Sequence, residues 1–182
     1  YSGMFPGVIS RKYHFKDALI DLRGLADRAG AAFVVAEITG LELHEKKLHL
    51  KGRSSLTFTK LSLNIGSEII IKKGDNPILQ TKSSIPVKPF YKAVEWISSQ
   101  DNEALRPNPR PFAVVGSGLS GLEIAFALRK RWPLRSLALH SYRAQINSKV
   151  RAALLFSKIQ LKFDRPEDNI PTLFCTGSKP PK

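Results

Sequence analysis

The sequence predicts an α/β fold: a parallel sheet with helices on its faces, preceded by a small β-rich meander. Two observations carry this. First, Phe112-Ala113-Val114-Val115 is a short apolar run that ends in Gly116-Ser117-Gly118-Leu119-Ser120-Gly121, after which Ile124, Ala125, Ala127 and Leu128 recur on one helical face. Second, strand-like and helix-like segments alternate from Phe112 onward, and βαβαβ order is the signature of parallel strands with crossover helices.

In chain order, Leu19, Leu22, Leu25, Ala26 and Ala29 share a helical spacing, which predicts a helix over 16–29 stopped at Ala29-Gly30. The pattern then changes. A strand is expected over 33–38, a hairpin pairs 41–43 with 48–50, and further strands cover 56–59 and 61–65 before Gly66. Residues 72–84 read as a polar loop. Phe90, Ala93, Val94 and Ile97 predict an amphipathic helix over 88–99, and the proline-rich 106–111 reads as a linker. The domain boundary falls there or slightly earlier, in 72–88. The second unit is expected as strand 112–116, helix 119–131, strand 136–140, helix 147–156, strand 159–163 and strand 172–175.

Gly-x-Gly-x-x-Gly between a strand and a helix is the arrangement that a dinucleotide requires. Gly116 permits the sharp turn, Gly118 removes a Cβ from the path of a pyrophosphate, and Gly121 lets helix and strand approach. Backbone amides from Ser117 onward then face the phosphates at the positive end of the helix dipole. A carboxylate about 20 residues further on would hold a ribose 2′-hydroxyl. Here that position is Ser141, with Arg143 nearby, and no Asp or Glu lies between Arg129 and Lys149. A hydroxyl with a guanidinium suits a 2′-phosphate, so NADP is favoured over NAD. A one-residue shift of the strand would put His140 in the slot instead. Glu123 has two readings: compensation of the helix dipole, or a carboxylate facing the nicotinamide side.

Charge leaves a rival open. The 29 Lys and Arg against 15 acids give a net charge of +14, and Arg129-Lys130-Arg131 stands beside Trp132. Such an excess fits any polyanion, so a basic nucleic-acid-binding α/β domain without catalysis is the alternative, although no zinc spacing or helix-turn-helix supports it. Other classes are excluded. Cys175 is the single cysteine, so a disulfide or Cys-x-x-Cys relay cannot form, and it reads as a buried structural thiol. Tyr13, Tyr91 and Tyr142 are followed four residues later by Asp17, Glu95 and Ile146, so the Tyr-x-x-x-Lys of short-chain dehydrogenases is missing. The four histidines have no ligand spacing, and no metal is expected. No apolar run reaches the ~18 residues of a membrane span.

Four segments together resemble the FAD/NAD(P)-binding pyridine nucleotide–disulfide oxidoreductase superfamily, in its NADH dehydrogenase-like branch. Tyr1-Ser2-Gly3-Met4-Phe5-Pro6-Gly7, with Ile20-Asp21-Leu22 and Ala29-Gly30, resembles the middle of an FAD domain. Leu61 to Ser67 is similar to the family's first A-T-G strand, Gly116 to Glu123 to its NAD(P) glycine motif, and Thr172 to Ser178 to a second A-T-G strand. The start and Ile85-Pro86-Val87-Lys88-Pro89-Phe90 are similar to the flavoprotein domain fused to selenide, water dikinase.

The resemblance implies a three-layer, Rossmann-like FAD/NAD(P)-binding fold, divided as 1–87, a partial FAD-binding domain, and 88–182, an NAD(P)-binding domain truncated at its C-terminal side. It implies hydride transfer from nicotinamide to FAD and on to an acceptor such as a quinone. It places Glu123 on the nicotinamide side, and Gly66 and Gly177 at the ends of the two A-T-G-like strands. The family's FAD glycine motif and closing segment have no counterpart here, so an internal fragment that holds flavin weakly or not at all is expected. The implied location is cytoplasmic, with the full-length protein peripheral to the inner face of a membrane.

Overall fold

A computed structural model of the chain describes residues 1–69, 83–142 and 146–179. The predicted α/β fold is present. The helices are α1 (Phe5–Ile9), α2 (Leu22–Arg28), α3 (Phe90–Ser99), α4 (Asp101–Ala104), α5 (Leu119–Arg131) and α6 (Ser148–Phe156). The strands are β1 (Ile38–Glu42), β2 (Lys47–Leu50), β3 (Leu56–Thr57), β4 (Glu68–Ile69), β5 (Ser84–Pro86), β6 (Phe112–Val115), β7 (Leu137–His140), β8 (Ile159–Lys162), β9 (Thr172–Phe174) and β10 (Ser178–Lys179). They fall into two compact units: Tyr1–Leu19 with Gly66–Lys182, and Ile20–Ile65.

In the larger unit, five parallel strands lie in the order β5-β9-β6-β7-β8. Every residue of β6 and β9 is buried, as central parallel strands covered on both faces demand. Phe112, Leu128, Leu139, Leu154 and Leu173 form the core with the apolar faces of α3 and α5. Register is tight: Phe112 opposes Leu137, Ala113 opposes Thr172, and Pro86 opposes Phe174. Pro86 lacks an N–H, and β5 is an edge strand, where that loss is tolerated. A separate antiparallel pair joins β4 to β10, with Ser178 opposite Ile69.

The smaller unit holds the antiparallel meander β1-β2-β3. The hairpin is where the sequence placed it, turning over 43–46 with Lys46 at φ 50°.

Several expectations are corrected. The helix over 16–29 is broken: Phe15–Ala18 is one 3₁₀ turn, and α2 begins only after Asp21, whose Oδ1 accepts from the Gly24 amide at 3.1 Å. Asp21 stops one segment by capping the next. Of 33–38 only Ile38 enters a strand, and Val34 and Val35 stay exposed. Residues 61–65 make no strand; Leu63 and Ile65 are exposed and no ladder partner stands beside them among the described residues. The expected loop over 72–84 lies mostly outside the described residues, but at its end β5 begins, whose Ser-Ile-Pro run is too short to read alone.

The basic cluster is tied down internally. The Arg129 guanidinium donates to the carbonyls of Trp132, Pro133, Arg135, Ser157 and Lys158 at 2.7–3.1 Å, which staples the ends of α5 and α6 together. Arg135 is fully buried against the rings of Trp132 and Phe112, 4.7 and 5.1 Å from their centroids, and desolvation pulls its guanidinium down to about 10. Arg131 pairs with Asp101 at 2.6 Å and donates to the Ile9 carbonyl at 3.0 Å.

Asp101 also accepts from Trp132 Nε1 at 2.8 Å and from Arg11 at 2.7 Å. Burial works against its charge, but the Arg131 and Trp132 hydrogen bonds and the Arg131 and Arg11 charges outweigh this and hold the carboxyl below its ordinary 3.8. A depressed folded pKa stabilises above the unfolded value, and that contribution is lost as pH falls through the folded pKa. Asp101→Asn is therefore expected to cost about 2–3 kcal/mol at neutral pH, because Arg131 is left buried without its partner. Urea denaturation at pH 7 and at pH 3 checks this: the gap between the two proteins should narrow at the lower pH.

Candidate functional site

The strand order reverses at β6. From it the chain crosses through α5 to β7 and β8 on one side, and later returns to β9 on the other, beyond which β5, earlier in the chain, forms the edge. The carboxyl ends of strands at such a switch point leave a crevice, because the two connections depart in opposite directions. A cleft of about 460 Å³ lies there.

Its centre is the glycine turn. Gly116 adopts φ +115°, a conformation open to glycine, and a Cβ there would stand 2.5 Å from the Cys175 carbonyl oxygen. The Gly116 amide donates to the His140 carbonyl at 2.9 Å, and the Cys175 amide donates to the Val115 carbonyl at 2.7 Å. The turn is thus anchored to the strands on both sides. A Cβ on Gly121 would lie 1.8 Å from the Gly116 carbonyl oxygen, so the first turn of α5 packs directly on the loop.

Gly118 is different. It caps α5 in extended conformation, and no heavy atom lies within 4 Å of where its Cβ would be. The space beside it is the cleft. No side chain caps α5 and no acid occupies its first turn, so the helix presents its amides and the positive end of its dipole to that space.

Of the residues singled out by sequence, Gly116, Ser117, Gly118, Glu123 and Gly177 line the cleft. Gly121 supports the turn. Ser141 is buried, and its hydroxyl is hydrogen-bonded to Ser117 at 2.6 Å, which joins the end of β7 to the glycine turn. Its neighbour Tyr142 lines the cleft instead. Arg143 lies outside the described residues. His140, the alternative for the ribose slot, is buried and donates from Nδ1 to the Asp164 carbonyl at 2.8 Å, so its ring is committed elsewhere. Gly66, at φ +73°, is not among the residues that line the cleft.

Sequence reasoning missed Lys88, Ser120 and Thr176, which line the cleft with Phe5 and Phe90. Lys88 and Phe90 fall just after β5, the strand that was not foreseen. Cys175 is buried at the cleft floor, and desolvation pushes its thiol up to about 12, so thiolate chemistry is unavailable at neutral pH. Among the described residues no cluster of His, Cys, Asp or Glu could hold a metal ion, and no helix is long and apolar enough to cross a membrane.

The sequence matches no family model and no curated protein. Solved structures do match in fold. Reduced CoADR-RHD of Bacillus anthracis superposes with a TM-score of 0.77 at 16% identity, covering 97% of this chain and 37% of that one. A NAD-dependent persulfide reductase from A. fulgidus gives 0.75 at 14%, covering 97% and 38%. NADH:rubredoxin oxidoreductase from Clostridium acetobutylicum gives 0.74 at 15%, covering 100% and 50%. The chain therefore spans half or less of the length of each of these proteins. Identities this low establish a shared Rossmann-like architecture and no more.

Proposed function

We propose that this chain carries the nicotinamide-nucleotide half-site of an FAD-dependent NAD(P)H oxidoreductase. The observation that carries the reading is the cleft at the strand-order reversal, open over Gly118 and faced by the uncapped start of α5. Ser117 and Gly118 supply amides for a pyrophosphate, Gly116 makes the turn that lets the backbone approach it, and Gly121 holds the helix against the turn. The Ser117–Ser141 hydrogen bond fixes the turn to β7, beside which the adenosine ribose would lie. Glu123 is assigned to the nicotinamide side and Gly177 to the floor of the cleft. When bound, the nucleotide would supply a hydride for a flavin and onward to an acceptor such as a quinone; this chain's part is to bind and orient it.

The flavin half is a different matter. The segment expected to close a flavin site, Leu61 to Ser67, forms no strand, and the Cβ position of Gly66 opens onto nothing within 4 Å. The proposed division remains 1–87 as partial FAD domain and 88–182 as NAD(P) domain. The fully assembled protein is proposed to act in the cytoplasm at a membrane face.

The polyanion reading is disfavoured because Arg129, Arg131 and Arg135 are spent on internal carbonyls, Asp101 and aromatic rings. Calorimetric titration with NADPH and NADH tests the proposal. NADPH is expected to bind at least tenfold tighter, about 1.4 kcal/mol, and Arg143→Ala should remove that preference. Equal affinity for both would keep the cleft and remove the 2′-phosphate argument.

A further inference from the structure

The residues that line the cleft include one cation, Lys88, and one carboxylate, Glu123. Among the described residues no ion pair joins them, although both face the same space. Lys88 stands two residues past the end of β5. The Val87 amide extends the ladder by donating to the Phe174 carbonyl at 2.9 Å, so Lys88 is held at the carboxyl end of the sheet. Its ammonium donates to the Ser67 hydroxyl and lies 5.9 Å from the centroid of the Phe90 ring, in a wall shared with Phe5.

Strand order determines which end of a dinucleotide meets this wall. The adenosine ribose belongs beside β7, the second strand of the βαβ unit, and the pyrophosphate belongs at the glycine turn after β6. The remaining half must run the other way, over the ends of β9 and β5. There it meets Cys175, Thr176 and Gly177 below, the Phe5 and Phe90 rings at the side, and Lys88. A nicotinamide offers an apolar ring face together with a carboxamide, which has one acceptor oxygen and one donor NH₂. An aromatic wall with an ammonium and a carboxylate lining the same cleft complements all three features.

We propose that Lys88 is the residue that recognises the nicotinamide end, donating to the carboxamide oxygen while Glu123 accepts from its NH₂. This rests on the reading of the cleft as a dinucleotide site. Lys88 is thereby a specificity residue for the intact nucleotide over its adenine half.

The test uses NADH and ADP-ribose, which is the same molecule without nicotinamide. Both are titrated into the unmodified chain, Lys88→Met and Lys88→Arg. Lys88→Met is expected to weaken NADH at least tenfold and leave ADP-ribose within twofold, with Lys88→Arg recovering most of the NADH affinity. An equal loss of both ligands would assign Lys88 to the shared phosphates and overturn the proposal. Unchanged NADH binding in Lys88→Met would overturn it as well. If neither ligand binds the unmodified chain, the dinucleotide reading itself falls, an outcome distinct from the other two. An unchanged melting temperature across the three proteins separates recognition from folding, since Lys88 is only partly buried.

Discussion

Replacing Gly121 by alanine is expected to destabilise the larger unit severely. The added Cβ would lie 1.8 Å from the Gly116 carbonyl oxygen and 2.9 Å from its carbon. Both are backbone atoms of a turn anchored to β7 and β9, so no flexible side chain can move aside. Relief requires α5 to shift away from β6, which would open the contacts of Ile124, Ala125 and Leu128 with the sheet. The cost is about 3–5 kcal/mol, at the upper end of overpacking effects and a large share of the 5–15 kcal/mol that holds a typical domain together. In a thermal melt that corresponds to a drop of roughly 6–20 °C. A melting temperature within a degree or two of the unmodified chain would mean that helix and loop are less closely packed than described.

Gly118→Val is expected to do the reverse: keep the fold and abolish nucleotide binding. The position is extended, at φ −72° and ψ 175°, a conformation that a β-branched residue adopts readily. Nothing lies within 4 Å of its Cβ, so the loss of stability should be no more than about 1 kcal/mol, the cost of valine in place of glycine at a helix N-cap. Two methyl groups would then occupy the space onto which the α5 amides open, and NADH affinity should fall at least a hundredfold, about 2.7 kcal/mol. Side-by-side melting and calorimetry check both halves. Unaltered affinity in a folded variant would reduce the glycine turn to a packing device.

This contrast shows what the sequence could and could not tell. The glycine motif, α5 and the strands β6, β7, β8 and β9 were legible because buried parallel strands read as apolar runs and their lengths are short and regular. Gly118 and Gly121 are alike in sequence, yet one faces open space and the other faces backbone; the difference is tertiary. Periodicity misled where burial was lacking. Leu19, Leu22 and Leu25 have helical spacing but are exposed, and Asp21 cuts the segment by capping α2. Leu63 and Ile65 alternate as a strand would, but pair with nothing described. β5 went unseen because three residues containing a proline carry no periodic signal, and with it went Lys88. Ser141 was picked out for the ribose end by counting along the chain, while its hydroxyl is turned to Ser117, a choice that only the neighbouring loop determines.

The charge excess shows the same limit. Arg129 and Arg131 read as a basic surface, but one bridges five carbonyls and the other is paired with Asp101. Counting cations could not separate an interface from internal structural hydrogen bonds.

The measurement closest to the central claim is an amide NMR titration of the labelled chain with NADH. Binding in the cleft predicts saturable shifts at the backbone amides of Ser117, Gly118, Leu119, Ser120 and Gly121, with Thr176 and Gly177 moving at the same midpoint. Shifts confined to other surfaces, such as the exposed cations of α6, or no saturable shift at the glycine turn, would contradict the assignment of this cleft as a nicotinamide-nucleotide site.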